Sequence, residues 1–291
     1  MEAKPENGVE YSFWDFKGQA DYVDSWFLMS TPYLPLLIIV MYLLFVLKIG
    51  PEFMRDREPM KLRNVLVAYN AFQVMVSSYL VYLSFDGMIR FGVFHRICLF
   101  ENEEIRKEAL SSSYWFLLAK VTELVDTVFF VLRKKQNQVT FLHVYHHTLT
   151  MVVSWLMVKY GKTDDLIFLG GANSFVHVVM YAYYGLSVFP GIAKYLWWKK
   201  YLTKLQLIQF VAIIVHLLLN SFISKCPPSK LVIAMVFFNA TLFLYLFSDF
   251  YVKAYMKSRR DKNNSSLGKD VLNGSLNRKH IMNGNTSKKI N

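Results

Sequence analysis

Three histidines share one short stretch of an otherwise apolar segment. His143, His146 and His147 stand at the spacing i, i+3 and i+4, so on a helix they lie on one face. Near neutral pH an imidazole can act as a general base, a covalent nucleophile or a metal ligand. Because ionisable side chains are costly inside a membrane bundle, their presence there usually marks a functional site. We interpret the three as candidate catalytic residues, and the alternative is a hydrogen-bonded structural group.

A second polar group occupies the preceding apolar segment, in the stretch KVTELVDT. On a helix its polar members fall within an arc of about 120°. They are Lys120, Glu123, Asp126 and Thr127. Charged groups so close together in a membrane helix must pair with partners. A structural salt-bridge network and a substrate-binding group are both compatible with this pattern.

Two later segments carry similar stripes. In NSFVHVVMYAYY the members of one helical face are Asn173, His177, Met180, Tyr181 and Tyr184. In TKLQLIQ they are Thr203, Gln206 and Gln209. The aromatic residues alone would indicate packing, but an amide and an imidazole at i and i+4 favour a polar site. The glutamine stripe alone is also typical of a helix that starts at the membrane interface.

The elements that must position these stripes are predicted membrane helices. Of the 291 residues, 54% are hydrophobic, and several apolar segments approach the ~20 residues that a helix needs to cross a bilayer. We predict seven, at residues 32–48, 64–85, 113–132, 139–158, 166–186, 205–224 and 231–251. Because lipid offers no partners to backbone groups, the predicted fold class is an all-α polytopic membrane protein. Residues 1–27 are acidic and mixed, unlike a cleavable signal peptide.

Charge predicts the orientation of the chain. The formal net charge is +12, and residues 253–291 alone hold ten Lys and Arg against two Asp. Basic segments also follow the first, third and fifth predicted helices. Basic residues favour the cytosolic side of a membrane, so we predict a lumenal N-terminus and a cytosolic C-terminus. This distribution fits a membrane surface or a phosphorylated substrate better than nucleic acid, which we exclude as a partner.

In this topology the four polar stripes lie in the cytosolic halves of their helices or near mid-membrane. They can therefore converge on one chamber that opens toward the cytosol. Basic residues are predicted to ring its mouth, and they include Arg133, Lys134 and Lys204. Such a ring suits a substrate that carries phosphate groups.

The ordered motifs KxxExxDT, HxxHH, NxxxHxxMYxYY and TxxQxxQ resemble those of the ELO family of very-long-chain fatty acid elongases. This resemblance implies the condensing step of fatty acid elongation. A long-chain acyl-CoA and malonyl-CoA would give a 3-oxoacyl-CoA two carbons longer, with CO2 and free CoA. It also implies six helices around a narrow acyl tunnel, a seventh helix outside it, and CoA entry from the cytosol. No resident cofactor is implied, because both CoA esters are co-substrates.

We assign roles on this basis. His146 is predicted to carry the acyl group as an acyl-imidazole. His177, assisted by Asn173, Gln206 and Gln209, is predicted to stabilise the enolate formed from malonyl-CoA. His143 and His147 would orient His146 or move protons. The remaining predicted binding residues are Lys120, Glu123, Asp126 and Tyr181.

The chain ends in KKIN, with Lys288 and Lys289 in the dilysine pattern that returns membrane proteins to the endoplasmic reticulum. We predict three regions: a lumenal segment 1–27, a membrane catalytic domain 28–252 and a disordered basic tail 253–291. The two cysteines, Cys98 and Cys226, both fall on the predicted lumenal side. That compartment is oxidising, so we predict a disulfide, with two free thiols as the alternative.

Two other classes compete with this interpretation. Di-iron membrane oxygenases also use histidine boxes, but the chain has only seven histidines. A single metal bound by His143, His146 and His147 is compatible with their spacing, although we predict none. A receptor or transporter could also have seven helices, yet a transporter usually shows internal repeats, and none is clear.

Several properties stay open from the sequence. They include the acyl chain length, its unsaturation and the oligomeric state, for which a homodimer is possible. The partners implied by the resemblance are the lipid bilayer and the reductases and dehydratase that complete an elongation cycle.

Overall fold

The structure is a computed structural model that describes residues 20–94, 101–161, 166–225 and 229–257, together with residues 16, 18 and 98. Within these residues the chain forms helices and no strand. The α-helices are α1 Asp21–Asp24, α2 Tyr33–Leu44, α3 Gly50–Met54, α4 Arg63–Phe91, α5 Glu103–Glu123, α6 Val125–Leu132, α7 Phe141–Tyr160, α8 Leu166–Ser187, α9 Pro190–Ala193, α10 Lys199–Ile223 and α11 Lys230–Tyr251.

In the part of the chain that the structure describes, four helical spans are long and apolar enough to cross a membrane. They are Tyr33–Met54, Arg63–Phe91, Lys199–Ile223 and Lys230–Met256. The predicted fold class, an all-α polytopic membrane protein, is confirmed. The count of seven spans stays a prediction.

Two of the predicted spans are interrupted in the structure. Between α2 and α3 the chain makes a π-helical stretch, Phe45–Ile49, just before Pro51. A proline has no backbone N–H and its ring crowds the carbonyl four residues earlier, which the wider π turn accommodates. The predicted helix 113–132 is likewise divided at Leu124 into α5 and α6.

Helix α5 starts earlier than the apolar segment predicts. Its first residue is Glu103, because the side chain of Asn102 caps the helix by accepting hydrogen bonds from the backbone N–H groups of Glu104 and Ile105, at 3.0 and 3.3 Å. The cap satisfies backbone donors that have no partner within the helix. The apolar segment predicted the part of α5 from residue 113 onward. It could not predict the polar turns that precede residue 113, because they are not apolar.

The bundle is built on two main helix pairs, α4 with α8 and α5 with α7. Helix α8 also packs against α10. At Gly171 on α8, a Cβ atom would lie only 2.7 Å from the Cβ of Ser84 on α4. Because Gly171 has no side chain, α4 and α8 can approach each other closely just before the polar stripe of α8 begins.

The segment before α2 is fastened to the far end of α7 from the histidines. Lys159 is fully buried, and its Nζ lies 2.6 Å from Asp24 Oδ1 and also donates to the backbone oxygen of Met29. Trp155 Nε1 donates to the backbone oxygen of Leu28 at 2.8 Å. These contacts hold α7 against the N-terminal part of the chain.

The chain divides into two compact units, residues 1–244 and 245–291. In the second unit the described residues continue α11 into a π-helical turn, Val252–Lys257, where Lys253 pairs with Asp249 at 2.7 Å. The predicted three-region division stays a prediction. Lys288 and Lys289 lie outside the described residues.

Candidate active site

Glu123 lies at the centre of a buried polar cluster. Lys120, one turn earlier on α5, donates from Nζ to Glu123 Oε1 at 2.7 Å and to Asn173 Oδ1 on α8 at 2.6 Å. His177, one turn after Asn173, places Nδ1 2.9 Å from the same Glu123 oxygen. All four side chains are buried. The helical spacing of each stripe thus brings Lys120 and His177 onto one carboxylate, and Asn173 joins the cluster through Lys120.

Burial makes the pairing of these groups obligatory. Lys120 and Glu123 side chains are each only 2% exposed, and an unpaired charge at such a position costs several kcal/mol, roughly 3–5 when a partner is removed. The salt-bridge network that the sequence left open is therefore present. Because the same carboxylate also contacts His177, the network can hold an imidazole in one orientation as well as support the fold.

The second oxygen of Glu123 faces His147. Glu123 Oε2 and His147 Nδ1 are 3.9 Å apart, beyond hydrogen-bonding distance. Neither atom has a hydrogen-bond partner among the residues that the structure describes. Of the two imidazoles near Glu123, that of His177 is thus within hydrogen-bonding distance, and that of His147 lies farther away. A small movement of either side chain would make the carboxylate bridge two imidazoles.

The three histidines of α7 lie together, as their spacing predicts. The ring centroids of His143 and His147 are 4.3 Å apart, and those of His146 and His147 are 5.3 Å apart. Thr140 caps α7, its side chain accepting a hydrogen bond from the His143 backbone N–H at 3.2 Å. His143 Nε2 lies 3.0 Å from Thr127 Oγ1 on α6. The group therefore sits in the first turns of a capped helix.

Asp126 occupies a separate position from Glu123. Tyr181 on α8 donates its phenolic hydrogen to Asp126 Oδ2 at 2.6 Å. The Tyr181 ring also stands edge-on to Tyr69 of α4, with centroids 6.1 Å apart. Asp126 is thus held by Tyr181, another of the predicted binding residues.

His146 borders an apolar cavity of about 120 Å³. Asn173 and Gln209 lie in its wall, beside the aromatic rings of Phe116, Phe210 and Phe243. Gln206 is only partly buried, and its side-chain nitrogen lies 3.9 Å from Met180 Sδ. Of the predicted glutamines, Gln209 is therefore the one that reaches the His146 cavity.

A second cavity of about 120 Å³ adjoins the first and shares part of its wall. The shared residues are Phe116, Val153, Ser154, Met157, Leu169, Ile213 and Val236. Its other lining residues include His216 on α10 and the ion-paired Arg90 and Glu108. The two cavities follow one another from the histidines toward the opposite end of the bundle.

The predicted basic residues lie outside this buried cluster. Arg133 and Lys134 follow α6, and Lys134 Nζ donates to the backbone oxygen of Arg55 at 2.9 Å. Lys204 is exposed on α10, with its Nζ 5.5 Å from the ring centroid of Tyr201. Their predicted role in binding phosphate groups stays a prediction.

Three polar residues near the site were missed from the sequence. Tyr42 on α2 contacts Thr127, with the two hydroxyl oxygens 2.9 Å apart. On α4, Gln73 donates to Tyr69 at 2.9 Å and to Thr122 Oγ1 at 3.1 Å. Tyr42 is a lone polar side chain among apolar neighbours on α2, so no spacing pattern indicated it. Tyr69, Gln73 and Ser77 do share one face of α4 at a spacing of four residues, and this pattern was the signal available for Gln73.

Two predicted features fall partly or wholly outside this description. Cys98 is described and is not a free thiol, but Cys226 lies outside the described residues, so the predicted pairing stays a prediction. Among the described residues, no group of three His, Cys, Asp or Glu is arranged to hold a metal ion. The prediction that the protein binds no metal is not tested by this observation.

Known proteins resemble this chain along most of its length. A model of the ELO: GNS1/SUR4 family matches residues 27–263. Very long chain fatty acid elongase 4 of Homo sapiens is 39% identical over 270 residues, which cover 91% of this chain and 84% of the human protein. Very long chain fatty acid elongase 7 of Rattus norvegicus is 39% identical over 264 residues, which cover 89% and 91% of the two chains. For elongase 2 of the same species the identity is 36% over 276 residues, covering 92% and 97%. The chain is a multi-pass membrane protein that belongs to the ELO, or GNS1/SUR4, family.

Proposed function

We propose that this protein is the condensing enzyme of fatty acid elongation, a 3-oxoacyl-CoA synthase. It joins a long-chain acyl-CoA to two carbons of malonyl-CoA and releases CO2 and free CoA. The observation that carries the proposal is the placement of His146 on the wall of an apolar cavity beside a buried Glu123–His177 pair. The elongase relatives and the ordered motifs support the same reaction.

The first half-reaction transfers the acyl group to His146. An imidazole nitrogen attacks the thioester carbonyl carbon, the carbon–sulfur bond breaks, and CoA leaves with the proton that the imidazole gives up. We assign this role to a histidine because neither cysteine lies among the site residues. Cys98 is not a free thiol, and Cys226 is not in any of the four motifs. A covalent route also lets two bulky CoA esters use one site in turn.

The second half-reaction extends the chain. Malonyl-CoA loses CO2, and the electron pair of the broken carbon–carbon bond forms an enolate. The enolate carbon attacks the acyl carbon, the bond to His146 breaks, and the imidazole regains a proton from solvent. The products are the 3-oxoacyl-CoA and the free enzyme.

His177 suits the developing enolate charge. If Nδ1–H donates to Glu123 Oε1, the other ring nitrogen stays directed away from the carboxylate. In the imidazolium form that nitrogen also donates a hydrogen bond, and the Glu123 carboxylate stabilises this charged form. A fixed donor in a site shielded from water stabilises an oxyanion strongly. Asn173 and Gln209, which line the same cavity as His146, are the assisting amides.

The acyl chain occupies the two adjoining cavities. Their walls are mainly aliphatic and aromatic side chains from α4, α5, α7, α8, α10 and α11. Burial of methylene groups therefore drives binding at ~0.8 kcal/mol for each. The space between His146 and the far end of the second cavity then sets the preferred chain length.

The remaining assignments extend this proposal. The enzyme lies in the endoplasmic reticulum membrane with a lumenal N-terminus and a cytosolic C-terminus. Basic residues Arg133, Lys134 and Lys204 receive the CoA phosphates. Its substrates are acyl-CoA and malonyl-CoA, it uses no metal or resident cofactor, and its partners are the bilayer, the elongation reductases and dehydratase, and a second copy of itself. It binds no nucleic acid.

The test is a reaction of purified protein in detergent with C18 or C20 acyl-CoA and malonyl-CoA labelled in its free carboxylate. We expect labelled CO2 and a 3-oxoacyl-CoA in equal amounts. Both should disappear in His146→Ala and His177→Ala and persist in His280→Ala, a histidine outside the four motifs. Wild-type protein that yields neither product with any acyl chain from C16 to C24 would contradict the proposal.

A further inference from the structure

A hydrogen-bonded chain runs from the first long helix to the histidine group. The hydroxyl oxygens of Tyr42 on α2 and Thr127 on α6 are 2.9 Å apart. Thr127 Oγ1 is in turn 3.0 Å from His143 Nε2 on α7. Thr127 is fully buried and Tyr42 is 6% exposed. Three helices thus meet through one buried hydroxyl, and none of the sequence motifs includes Tyr42.

Tyr42 is turned into the bundle while its neighbours face outward. Val40, Met41 and Leu44 on the same helix are all exposed. The Tyr42 ring packs in the core cluster with Val131 and Val144 of α6 and α7. Its hydroxyl group contacts Thr127 Oγ1, the atom that also lies 3.0 Å from His143 Nε2. The position therefore uses both the ring, for packing, and the hydroxyl, for a specific contact.

The two contacts of Thr127 meet at one hydroxyl oxygen. This hydroxyl group has one hydrogen and two lone pairs, so Thr127 can donate to one neighbour and accept from the other, or accept from both. When Tyr42 donates to Thr127 and Thr127 donates to His143 Nε2, the His143 proton is on Nδ1. When His143 Nε2–H donates to Thr127, the proton is on Nε2. In each arrangement the Tyr42 hydroxyl group holds Thr127 Oγ1 in place, and Thr127 thereby holds the ring of His143 in one orientation.

The orientation of His143 is passed on to the catalytic residues. Its ring contacts that of His147, with centroids 4.3 Å apart, and the ring of Phe130 at 5.2 Å. His147 stands next to His146 and 3.9 Å from Glu123 Oε2. A rotation of His143 would therefore disturb His147, and through it the carboxylate that also holds His177.

We propose that Tyr42 is a positioning residue for the condensation, acting through Thr127 on His143. This inference rests on the proposed function. It assigns a role to α2, a helix that contributes none of the predicted catalytic or binding residues. Tyr42 does not touch the reacting atoms, so its removal lowers the rate of the chemistry and leaves the affinity for the two CoA esters unchanged.

Tyr42→Phe tests the proposal, because it keeps the ring and removes only the hydroxyl group. We expect kcat to fall about tenfold, the effect of one lost buried hydrogen bond of ordinary strength, with KM for both substrates unchanged. The matched control is Tyr33→Phe on the same helix, where Tyr33 is 66% exposed. It should keep the wild-type rate, and all variants should keep the wild-type melting temperature within a few degrees.

Two further variants separate positioning from packing. Thr127→Val should lose as much rate as Tyr42→Phe, whereas Thr127→Ser, which keeps the hydroxyl group, should lose less than about threefold. The double variant Tyr42→Phe, Thr127→Val should be no slower than Thr127→Val alone, because the two residues act through one contact. Rate losses of the two single variants that multiply in the double variant would overturn the proposal. A wild-type kcat in Tyr42→Phe would also overturn it.

A readout that does not depend on elongation keeps the two proposals distinguishable. In protein labelled with 15N-histidine, the ring nitrogen shifts report the tautomer of each histidine, and His143→Ala identifies the His143 signals. We expect one tautomer in wild type and a mixture in Tyr42→Phe. An unchanged His143 spectrum would contradict the positioning role even if the protein elongates, and a changed spectrum without elongation would contradict only the proposed function.

Discussion

The two ends of the adjoining cavities both carry ion pairs, but the pairs differ in burial. Near the His146 end, Lys120 and Glu123 are each 2% exposed, and their contact is supplemented by Asn173 and His177. At the opposite end, the side chains of Arg90 and Glu108 are 42% and 51% exposed. Arg90 also pairs there with Asp86 at 2.7 Å.

An ion pair has a different role when it is buried than when it is exposed. A buried pair must be complete, because a lone charge in a medium of low polarity costs several kcal/mol, roughly 3–5 when one partner is removed. An exposed pair contributes only about 0–1 kcal/mol, because water screens it. The buried cluster is therefore able to fix the orientation of imidazoles, whereas the exposed cluster is a local contact between α4 and α5.

Glu123→Gln should give the largest effect. It leaves the Lys120 charge without its carboxylate and replaces the charged acceptor of His177 with a neutral amide, whose oxygen is a weaker acceptor. We expect elongation to fall at least about a thousandfold, since both electrostatic stabilisation and orientation are lost. The melting temperature in detergent should also fall. The matched control Glu104→Gln replaces an exposed glutamate in the first turn of α5 and should keep both quantities.

Retention of normal elongation by Glu123→Gln would show that the buried cluster serves only the fold. Lys120→Met sharpens the test, because it removes the cation and leaves the Glu123–His177 contact. It should lower the melting temperature and reduce elongation less than Glu123→Gln does.

A bulky side chain in the passage between the two cavities should reduce elongation of long acyl chains selectively, by an intermediate amount. Ser154 lines both cavities, so Ser154→Phe should block the passage from the first cavity to the second. We expect elongation of C20 and longer acyl-CoA to fall more than about tenfold, as the loss of a few buried methylene groups predicts. Shorter chains should be elongated nearly as before.

Ser187→Phe is the control for this substitution, because Ser187 is an exposed serine at the end of α8. Product lengths measured by gas chromatography decide the outcome. Equal losses for short and long chains in Ser154→Phe would contradict the assignment of the two cavities to the acyl chain.

Loss of the exposed ion pairs that Arg90 makes with Asp86 and Glu108 should have the smallest effect on stability. Arg90→Gln should lower the free energy of unfolding by about 0–1 kcal/mol, and the difference should shrink as salt is added, because the lost contacts are solvent-screened. Melting curves of wild type and variant at low and high salt test this. A loss as large as that of Lys120→Met would remove the contrast between the two ends.

Helical spacing predicted which residues share the site, because the period of the helix fixes which side chains lie on one face. It brought Lys120, Glu123 and His177 into direct contact. It could not predict that Asp126 would pair with Tyr181, or that Gln206 would turn toward Met180. Those choices depend on side-chain rotamers and on the distance between helices, which one sequence does not contain.

Apolar length likewise located the long helices but not their interruptions. The π-helical stretch before Pro51 had a visible signal in the proline, whereas the break at Leu124 had none. Tyr42 was missed because a lone polar residue in an apolar helix forms no spacing pattern. Its role depends on Thr127 and His143, which come from two other helices.

Intact-protein mass spectrometry can show whether His146 carries the acyl chain. Purified protein is incubated with C18 or C20 acyl-CoA in the absence of malonyl-CoA. We predict one added acyl mass, absent in His146→Ala and discharged when malonyl-CoA is supplied. Elongation with both substrates but no acyl adduct under these conditions would contradict the covalent route and the role of His146.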